Sequence, residues 1–262
     1  MKRLTILVHG ESGAGKSWLF NTGPGPRLLL DAEGRAEYLA DLRTDPTGMT
    51  PQRLVSWNPR DPIPEESADP SVVTVVDVLD FDTLKLAYQW LSSGNHPFRT
   101  VGLDSLQETQ QRLMDATAGT EQMQMQHWGS VLREMDALVR KFRDLRKNPV
   151  SPVDCVVVLA GSQDKNDKIR PMLQGGMILR APFHFDVVGY LRKGISAEGQ
   201  RVRYLTIDGY GDEHIVAKDN THRLSGHYGE HIPFPDLEQM LGVLNAGAPA
   251  PGSTQTQEVT NP

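Results

Sequence analysis

The amino-acid sequence predicts an α/β fold, in which a mostly parallel, twisted sheet carries helices on both faces and ends in C-terminal antiparallel strands. Apolar runs alternate with helical patterns along the chain, which is typical of parallel strands joined by crossover helices. A glycine-rich loop also directly follows the first apolar run, Leu4-Thr5-Ile6-Leu7-Val8, and precedes a segment that can open a helix. The length of 262 residues suits one large α/β domain.

Short apolar runs are the strand candidates. They cover residues 4–9, 27–31, 53–57, 72–77, 99–104, 153–160, 185–191 and 202–208. Runs of this length are typical of strands that are buried in a sheet. We assign residues 1–244 to the folded domain. Residues 245–262 are rich in small and polar residues and almost uncharged, so we expect a disordered tail.

One helix is predicted between a capping aspartate and a terminating glycine. Asp80 or Asp82 can cap a helix that runs to about Ser93, and Gly94-Asn95 ends it. The acidic, proline-rich residues 58–70 before it are expected to form an exposed loop, because proline removes backbone donors and favours turns.

A second helix is predicted over residues 129–147, where apolar residues recur at three- and four-residue spacing. Its opposite face carries arginines and lysines with interleaved acidic residues. That basic face is either a solvated surface or a contact for DNA or another subunit. The polar residues 119–129 before it are expected to form a loop or a frayed helix start.

The bulk composition is that of a soluble globular protein, with 38% hydrophobic and 23% charged residues. No apolar run approaches the length needed to span a bilayer, so we expect no membrane association. The single cysteine, Cys155, lies in an apolar run, which predicts a buried thiol and fits a reducing, cytoplasmic compartment. The net charge of -6 is not that of a dedicated DNA-binding domain, so any DNA site must be local.

The glycine-rich loop matches the phosphate-binding pattern G-x-x-x-x-G-K-[ST] without a mismatch. It consists of Gly10, Glu11, Ser12, Gly13, Ala14, Gly15, Lys16 and Ser17. In such a loop the glycines let successive backbone N–H groups point at phosphates. Lys16 then extends to the β and γ phosphates, and the Ser17 hydroxyl is a ligand for Mg²⁺. The loop therefore predicts ATP and Mg²⁺ as ligands.

Hydrolysis needs further carboxylates near the phosphates. Asp104 follows the run 99–103 and is the preferred second group for organising magnesium. Asp77 follows a more apolar run and is the alternative, but a strand-like pair and a helix cap come after it. Glu33 follows the second strand and is the candidate for activating water; its alternative role is to cap the next helix.

The segments Leu30-Asp31-Ala32-Glu33 and Asp104-Ser105 resemble the RecA-type recombinase core, a family of P-loop NTPases. The resemblance implies that Glu33 is the general base. Val156-Val157-Val158-Leu159-Ala160-Gly161-Ser162-Gln163 is similar to the strand that ends in a polar sensor of the γ phosphate. The sensor is Asn-Gln in RecA itself and Ser162-Gln163 here. The resemblance covers about residues 1–230.

Two further segments are similar to RecA elements that contact a partner. Residues 164–176 correspond to the flexible loop that holds single-stranded DNA, and Lys165, Lys168 and Arg170 are the implied DNA contacts, unless this is a plain surface loop. Residues 215–220 correspond to the segment whose lysines extend to the ATP of the neighbouring subunit. Lys218 is the implied cation, and Asn220 stands where RecA has its second lysine.

Among RecA-like proteins, the chain looks most like the small phage-encoded RecA-core ATPases that assist single-strand annealing. That resemblance implies a Mg²⁺-dependent, DNA-stimulated ATPase that forms homo-oligomeric rings or filaments with ATP at subunit interfaces. It also implies single-stranded DNA as a partner, with a single-strand binding protein or an exonuclease as further partners. Two alternatives stay open: a P-loop ATPase for another DNA transaction, such as helicase loading or packaging, and a nucleotide-gated interaction module.

Overall fold

A mixed, mostly parallel sheet runs through the part of the chain that the computed structural model describes, residues 1–40, 52–119, 121–195 and 199–246. Its strands are β1 (Leu4–Gly10), β2 (Arg27–Asp31), β3 (Arg53–Ser56), β4 (Val72–Asp77), β5 (Thr100–Asp104), β6 (Cys155–Asp164), β7 (Ile169–Pro171), β8 (Val187–Ile195), β9 (Arg201–Thr206), β10 (Lys218–Asp219) and β11 (His231–Pro233). All strand candidates from the sequence are present. The sequence analysis missed β7, β10 and β11, which are too short to show a periodic pattern.

The strand order confirms the predicted fold class. It runs β11-β9-β8-β1-β6-β5-β2-β4-β3, with β7 paired to β6 and β10 to β8. The strands from β8 to β3 in this order are parallel to one another. Strand β9 pairs antiparallel with both β8 and β11, as expected for the C-terminal strands. The strand β6 lies between β1 and β5. It therefore separates the strand that precedes the phosphate-binding loop from the strand that ends in Asp104.

The helices connect these strands and lie on both faces of the sheet. They are α1 (Lys16–Asn21), α2 (Phe81–Ser93), α3 (Leu106–Ala118), α4 (Met125–Asp144), α5 (Met177–Arg180), α6 (Arg223–Tyr228) and α7 (Leu237–Asn245). The cap of α2 is Asp80, whose side chain accepts a hydrogen bond from the backbone N–H of Thr83 at 2.7 Å. Gly94 ends α2 with a positive φ of 77°.

Helix α4 begins earlier than the sequence indicates, at Met125. Gln124 and His127 form a reciprocal capping box at this end, so residues 125–129 are helical and not a loop. The start was missed because glutamine is not among the preferred N-cap residues. The predicted apolar face of α4 is buried in the core, and a 3₁₀ turn at Leu145–Lys147 continues the helix.

The core has one layer on each face of the sheet, and the side chains of β6 alternate between the two. Val156 and Val158 pack with the residues of α2, α3 and α4, whereas Val157 and Leu159 pack with those of α1, α6 and α7. Cys155 belongs to the second layer and is fully buried, as predicted. Burial raises the pKa of its thiol.

The segment 58–70 is mostly exposed but is tied to the core at two points. The indole N–H of Trp90 donates to the carbonyl oxygen of Pro59 at 2.9 Å, and that of Trp57 donates to the carbonyl of Asp61 at 3.1 Å. A short 3₁₀ helix, Glu65–Ala68, then leads to β4. The two indoles therefore give this predicted loop a defined path.

The chain end was predicted to be a tail from residue 245. Asn245 is the last residue of α7, and its side-chain amide donates to the backbone carbonyl of Lys2 at 3.0 Å. Residues 247–262 lie outside the described part of the chain, so the tail stays a prediction. Within the described part, no helix is long and apolar enough to cross a membrane.

Candidate functional site

The loop between β1 and α1 has a backbone that requires its glycines. Gly13 and Gly15 have φ values of 72° and 99°, which disfavour any residue with a side chain. A Cβ atom on Gly10 would collide with the carbonyl oxygen of Leu191 on β8. Gly10 also pairs with Gly161 of β6, so neither β1 nor β6 carries a side chain at this point. The loop therefore depends on glycine at Gly10, Gly13 and Gly15 for its path close to β8.

Lys16 lies folded across this loop. Its Nζ atom donates to the carbonyl oxygens of Gly10 and Glu11, both at 3.0 Å. Burial lowers the pKa of the ammonium group, and the negative charges of Asp104 and Glu33 partly oppose that shift. The lysine is thus held against the loop and lies within the electrostatic influence of two carboxylates.

Asp104 lies beside the loop, at the end of β5. Its Oδ2 atom accepts a hydrogen bond of 2.6 Å from the Ser17 hydroxyl. Burial, together with the nearby charges of Glu33 and Asp31, raises the pKa of Asp104 to about 6, although the Ser17 hydrogen bond opposes the rise. The alternative candidate, Asp77, is exposed and lies at the end of β4, beyond β2. The geometry therefore favours Asp104.

Glu33 is held in a tight turn after β2. The carboxylate of Asp31 accepts four backbone hydrogen bonds, from the N–H groups of residues 33 to 36, at 2.7 to 3.0 Å. The N–H of Glu33 also donates to the carbonyl oxygen of Asp104 at 3.2 Å. Asp31 thus fixes the backbone that carries Glu33, a role that the sequence analysis did not assign to it.

Gln107, in the first turn of α3, connects Glu33 to β6. Its Nε2 atom donates to Oε1 of Glu33 at 3.0 Å, and its Oε1 atom accepts from the N–H of Gly161 at 2.9 Å. The sequence analysis missed Gln107. Its only sequence signal is its position three residues after Asp104, at the start of the following helix.

Several of these groups line a cavity of about 420 Å³. Its lining includes Lys16, Glu33, Arg35, Gln107, Glu108 and Ser162. A single open space is therefore shared by the loop lysine, the candidate base and one residue of the expected sensor.

The two expected sensor residues face different surroundings. Ser162 lines the cavity, and its hydroxyl lies 2.9 Å from Nδ1 of His9. The Nε2 atom of Gln163 instead donates to the carbonyl oxygens of Pro171 and Leu173, at 3.2 and 3.1 Å. Only Ser162 is thus positioned to contact a nucleotide in this structure, while Gln163 holds β7 and the chain after it.

The first half of the expected DNA loop is a β-hairpin. Asn166 and Asp167 both have φ values of 56°, which is typical of a tight turn between antiparallel strands. Lys165 and Lys168 flank this turn and are exposed. Arg170 is only 8% exposed. This corrects the expectation of one flexible, exposed basic loop, because β7 pairing buries Arg170 below the surface that the two lysines share.

Lys218 lies away from the cavity of its own chain, on β10, which pairs with β8 near Val188. Its Nζ atom lies 5.9 Å from the ring centroid of Phe183, whose side chain is 81% exposed. Burial lowers the pKa of Lys218, and the charge of Asp186 opposes the shift. The lysine is therefore half-buried beside an exposed aromatic ring.

The phosphate-binding loop after β1, the carboxylate at the end of β5 and the strand between them in the sheet are features of a P-loop ATPase. A family model described as AAA domain (AAA_24) matches residues 2–221, and the chain belongs to this family.

Among solved structures, the chain is similar to a KaiC-like protein from the hyperthermophilic archaeon Pyrococcus horikoshii OT3. The identity is 14% and the TM-score is 0.41, over 78% of this chain and 77% of that chain. A search of curated proteins gave no match.

Proposed function

We propose that this chain hydrolyses ATP in a Mg²⁺-dependent reaction and uses that reaction to act on single-stranded DNA, in recombination or strand annealing. The observation that carries the first part is that Lys16 and Glu33 line one cavity, while the hydrogen-bonded Ser17–Asp104 pair lies close enough for the Asp104 charge to act on Lys16. These are the groups that phosphoryl transfer to water requires: a cation for the phosphates, oxygen ligands for a metal and a base for water.

Ser17 and Asp104 fit a magnesium ion. They provide a hydroxyl and a carboxylate oxygen that are already adjacent, which suits the preference of this ion for oxygen ligands. When bound, the ion neutralises charge on the β and γ phosphate oxygens. In the proposed reaction Lys16 binds the phosphates, and Glu33, fixed by Gln107 and the Asp31 turn, accepts a proton from the attacking water.

We also propose that the ATP site is shared between subunits through Lys218. This lysine does not line the cavity of its own chain, and it lies next to an exposed phenylalanine, an arrangement that suits a contact between subunits. We therefore propose a homo-oligomer, either a ring or a filament, in which Lys218 extends to the ATP of a neighbour.

The proposal of a DNA site rests on Lys165 and Lys168. They are exposed at the tip of a hairpin whose first strand, β6, also carries Ser162 at the cavity. Two cations on one turn suit contacts with phosphates that do not depend on base sequence. The likeness to phage annealing ATPases supports a phage origin, a cytoplasmic location and cooperation with a single-strand binding protein or an exonuclease.

The proposed function is tested by ATP turnover with and without single-stranded DNA, beside a size measurement in the same buffer. We expect DNA to stimulate turnover and the stimulation to fall with added salt. The double variant Lys165→Glu/Lys168→Glu is expected to lose the stimulation but keep the basal rate. Arg53→Glu/Arg60→Glu, which reverses two exposed charges on and after the edge strand β3, is the matched control. Turnover that ignores DNA, with no retention on single strands, would favour another DNA transaction or a nucleotide-gated interaction module.

A further inference from the structure

A buried histidine lies directly before the phosphate-binding loop. His9 is the penultimate residue of β1 and has no exposed surface. In the sheet it pairs with Ala160 of β6 on one side and with Tyr190 of β8 on the other, and its ring lies 5.3 Å from the Tyr190 ring. A buried histidine in this position needs partners for both ring nitrogens.

Both nitrogens have a partner, and the partners fix the tautomer. Nε2 lies 2.8 Å from the carbonyl oxygen of Val216. A carbonyl oxygen only accepts, so Nε2 carries the hydrogen. Burial, with a smaller effect from the Lys16 charge, lowers the pKa of His9 to about 4, so the ring is neutral and Nδ1 is an acceptor. The Ser162 hydroxyl, at 2.9 Å, therefore donates to Nδ1.

The two partners belong to regions with different proposed roles. Ser162 lines the nucleotide cavity. Val216 lies two residues before Lys218, and its N–H donates to the carbonyl oxygen of Ile169 on β7 at 2.9 Å. The His9 ring thus joins the cavity to the segment that leads to Lys218 and to the strand that follows the exposed hairpin.

A serine hydroxyl has one proton to donate. If Ser162 donates that proton to a phosphate oxygen in the cavity, it can no longer donate it to Nδ1 of His9. The buried Nδ1 atom then lacks a partner, which is unfavourable in an environment without water. The ring relieves this by moving, and any movement changes its hydrogen bond to Val216.

We propose that His9 is a positioning residue that couples nucleotide occupancy of the cavity to the position of the Lys218 segment and β7, through Ser162 on one side and Val216 on the other. The inference rests on the proposed function in that the cavity must bind a nucleotide. It requires neither hydrolysis nor DNA. It assigns a role to a residue that otherwise is only a buried histidine with satisfied hydrogen bonds.

The test is hydrogen exchange at residues 214–219 and 169–171, with and without a non-hydrolysable ATP analogue and Mg²⁺. In the wild type we expect the analogue to change exchange at these amides by about fivefold, the effect of one buried hydrogen bond on local opening. His9→Gln provides an amide near the position of Nε2 but nothing at Nδ1. It should bind the analogue at least as tightly as the wild type, because Ser162 no longer gives up a hydrogen bond to Nδ1, and it should lose the change in exchange.

Ser162→Ala removes the proton donor and leaves the ring intact, so it provides the same test without altering β1. It should also lose the response, and the two substitutions together should lose no more than either alone, because they break one connection. If the wild type binds the analogue and exchange at residues 214–219 does not change, the inference is wrong. That result would not contradict the proposed nucleotide site. A wild-type response in either variant would overturn it as well. Failure to bind the analogue at all would instead contradict the proposed function.

Discussion

The hydroxyl of Ser17 lies 2.6 Å from Oδ2 of Asp104, a hydrogen bond that joins the end of the phosphate-binding loop to the end of β5. Asp104 is buried and close to two other carboxylates, which is why its pKa is raised to about 6. Burial of this carboxylate is unfavourable in itself, because the charged form is removed from water. It becomes favourable when a divalent cation binds.

Asp104→Asn is therefore expected to change activity and stability in opposite directions. Hydrolysis should fall by about a hundredfold or more, because a metal ligand is lost. Without Mg²⁺ and nucleotide, the free energy of unfolding at pH 7.5 should rise by about 3 kcal/mol, since a pKa raised from 3.8 to about 6 means that the folded state penalises the charged form. Urea unfolding and ATP turnover check the two effects, with Asp77→Asn as the control. A variant that is less stable than the wild type would contradict this interpretation of Asp104.

Gln107 holds the Glu33 carboxylate at 3.0 Å. Gln107→Ala should lower kcat by about tenfold and leave KM within about twofold, because a misplaced base affects the chemical step more than binding. Gln111→Ala is a matched control, since Gln111 lies one turn further along α3 and donates to Asp115. Steady-state kinetics of both variants check the prediction. Equal kcat and KM values for the two variants would contradict the positioning role of Gln107.

His9 predicts a component of the pH dependence of stability. Its pKa is near 4 in the folded protein and 6.5 in the unfolded chain, so as the pH falls the unfolded chain binds this proton first. The stabilisation is complete above pH 6.5 and is lost as the pH falls toward 4, by about 2 kcal/mol at pH 5. Urea unfolding at pH 7.5 and 5 should therefore show a larger loss for the wild type than for His9→Gln. Equal losses would contradict the burial of a neutral ring.

The proposed role of Lys218 between subunits predicts complementation. Lys16→Ala lacks a working cavity but keeps Lys218, whereas Lys218→Ala keeps the cavity. In an equimolar mixture, about a quarter of randomly formed head-to-tail interfaces would combine an intact cavity with an intact Lys218. ATP turnover of the mixture should therefore exceed the sum of the separate variants. A rate equal to that sum would indicate that Lys218 does not act on a neighbour.

The sequence was sufficient for the parts of this fold that depend on local pattern. Each longer strand is an apolar run, and the loop of Gly10 to Ser17 is a contiguous motif, so both could be located without tertiary information. Gln107 and His9 could not be identified in this way. Their roles depend on hydrogen bonds to Glu33, Gly161, Ser162 and Val216, which are separated from them by 54 to 207 positions in the chain.

For Arg170, the sequence led to a role that the structure contradicts. The resemblance to the RecA loop that holds DNA implied an exposed contact, but Arg170 lies on β7, paired to β6, and is only 8% exposed. A strand of three residues has too few positions to show an inward and outward alternation in sequence.

In the proposed reaction, one cavity binds ATP and hydrolyses it with Glu33 as the base. The most direct test compares ATP binding and ATP turnover in the wild type and in Glu33→Gln, with Glu37→Gln as the control in the adjacent exposed turn. We expect Glu33→Gln to bind ATP within about twofold of the wild type and to lose turnover by about a hundredfold or more. Turnover at the wild-type rate in Glu33→Gln would contradict the claim.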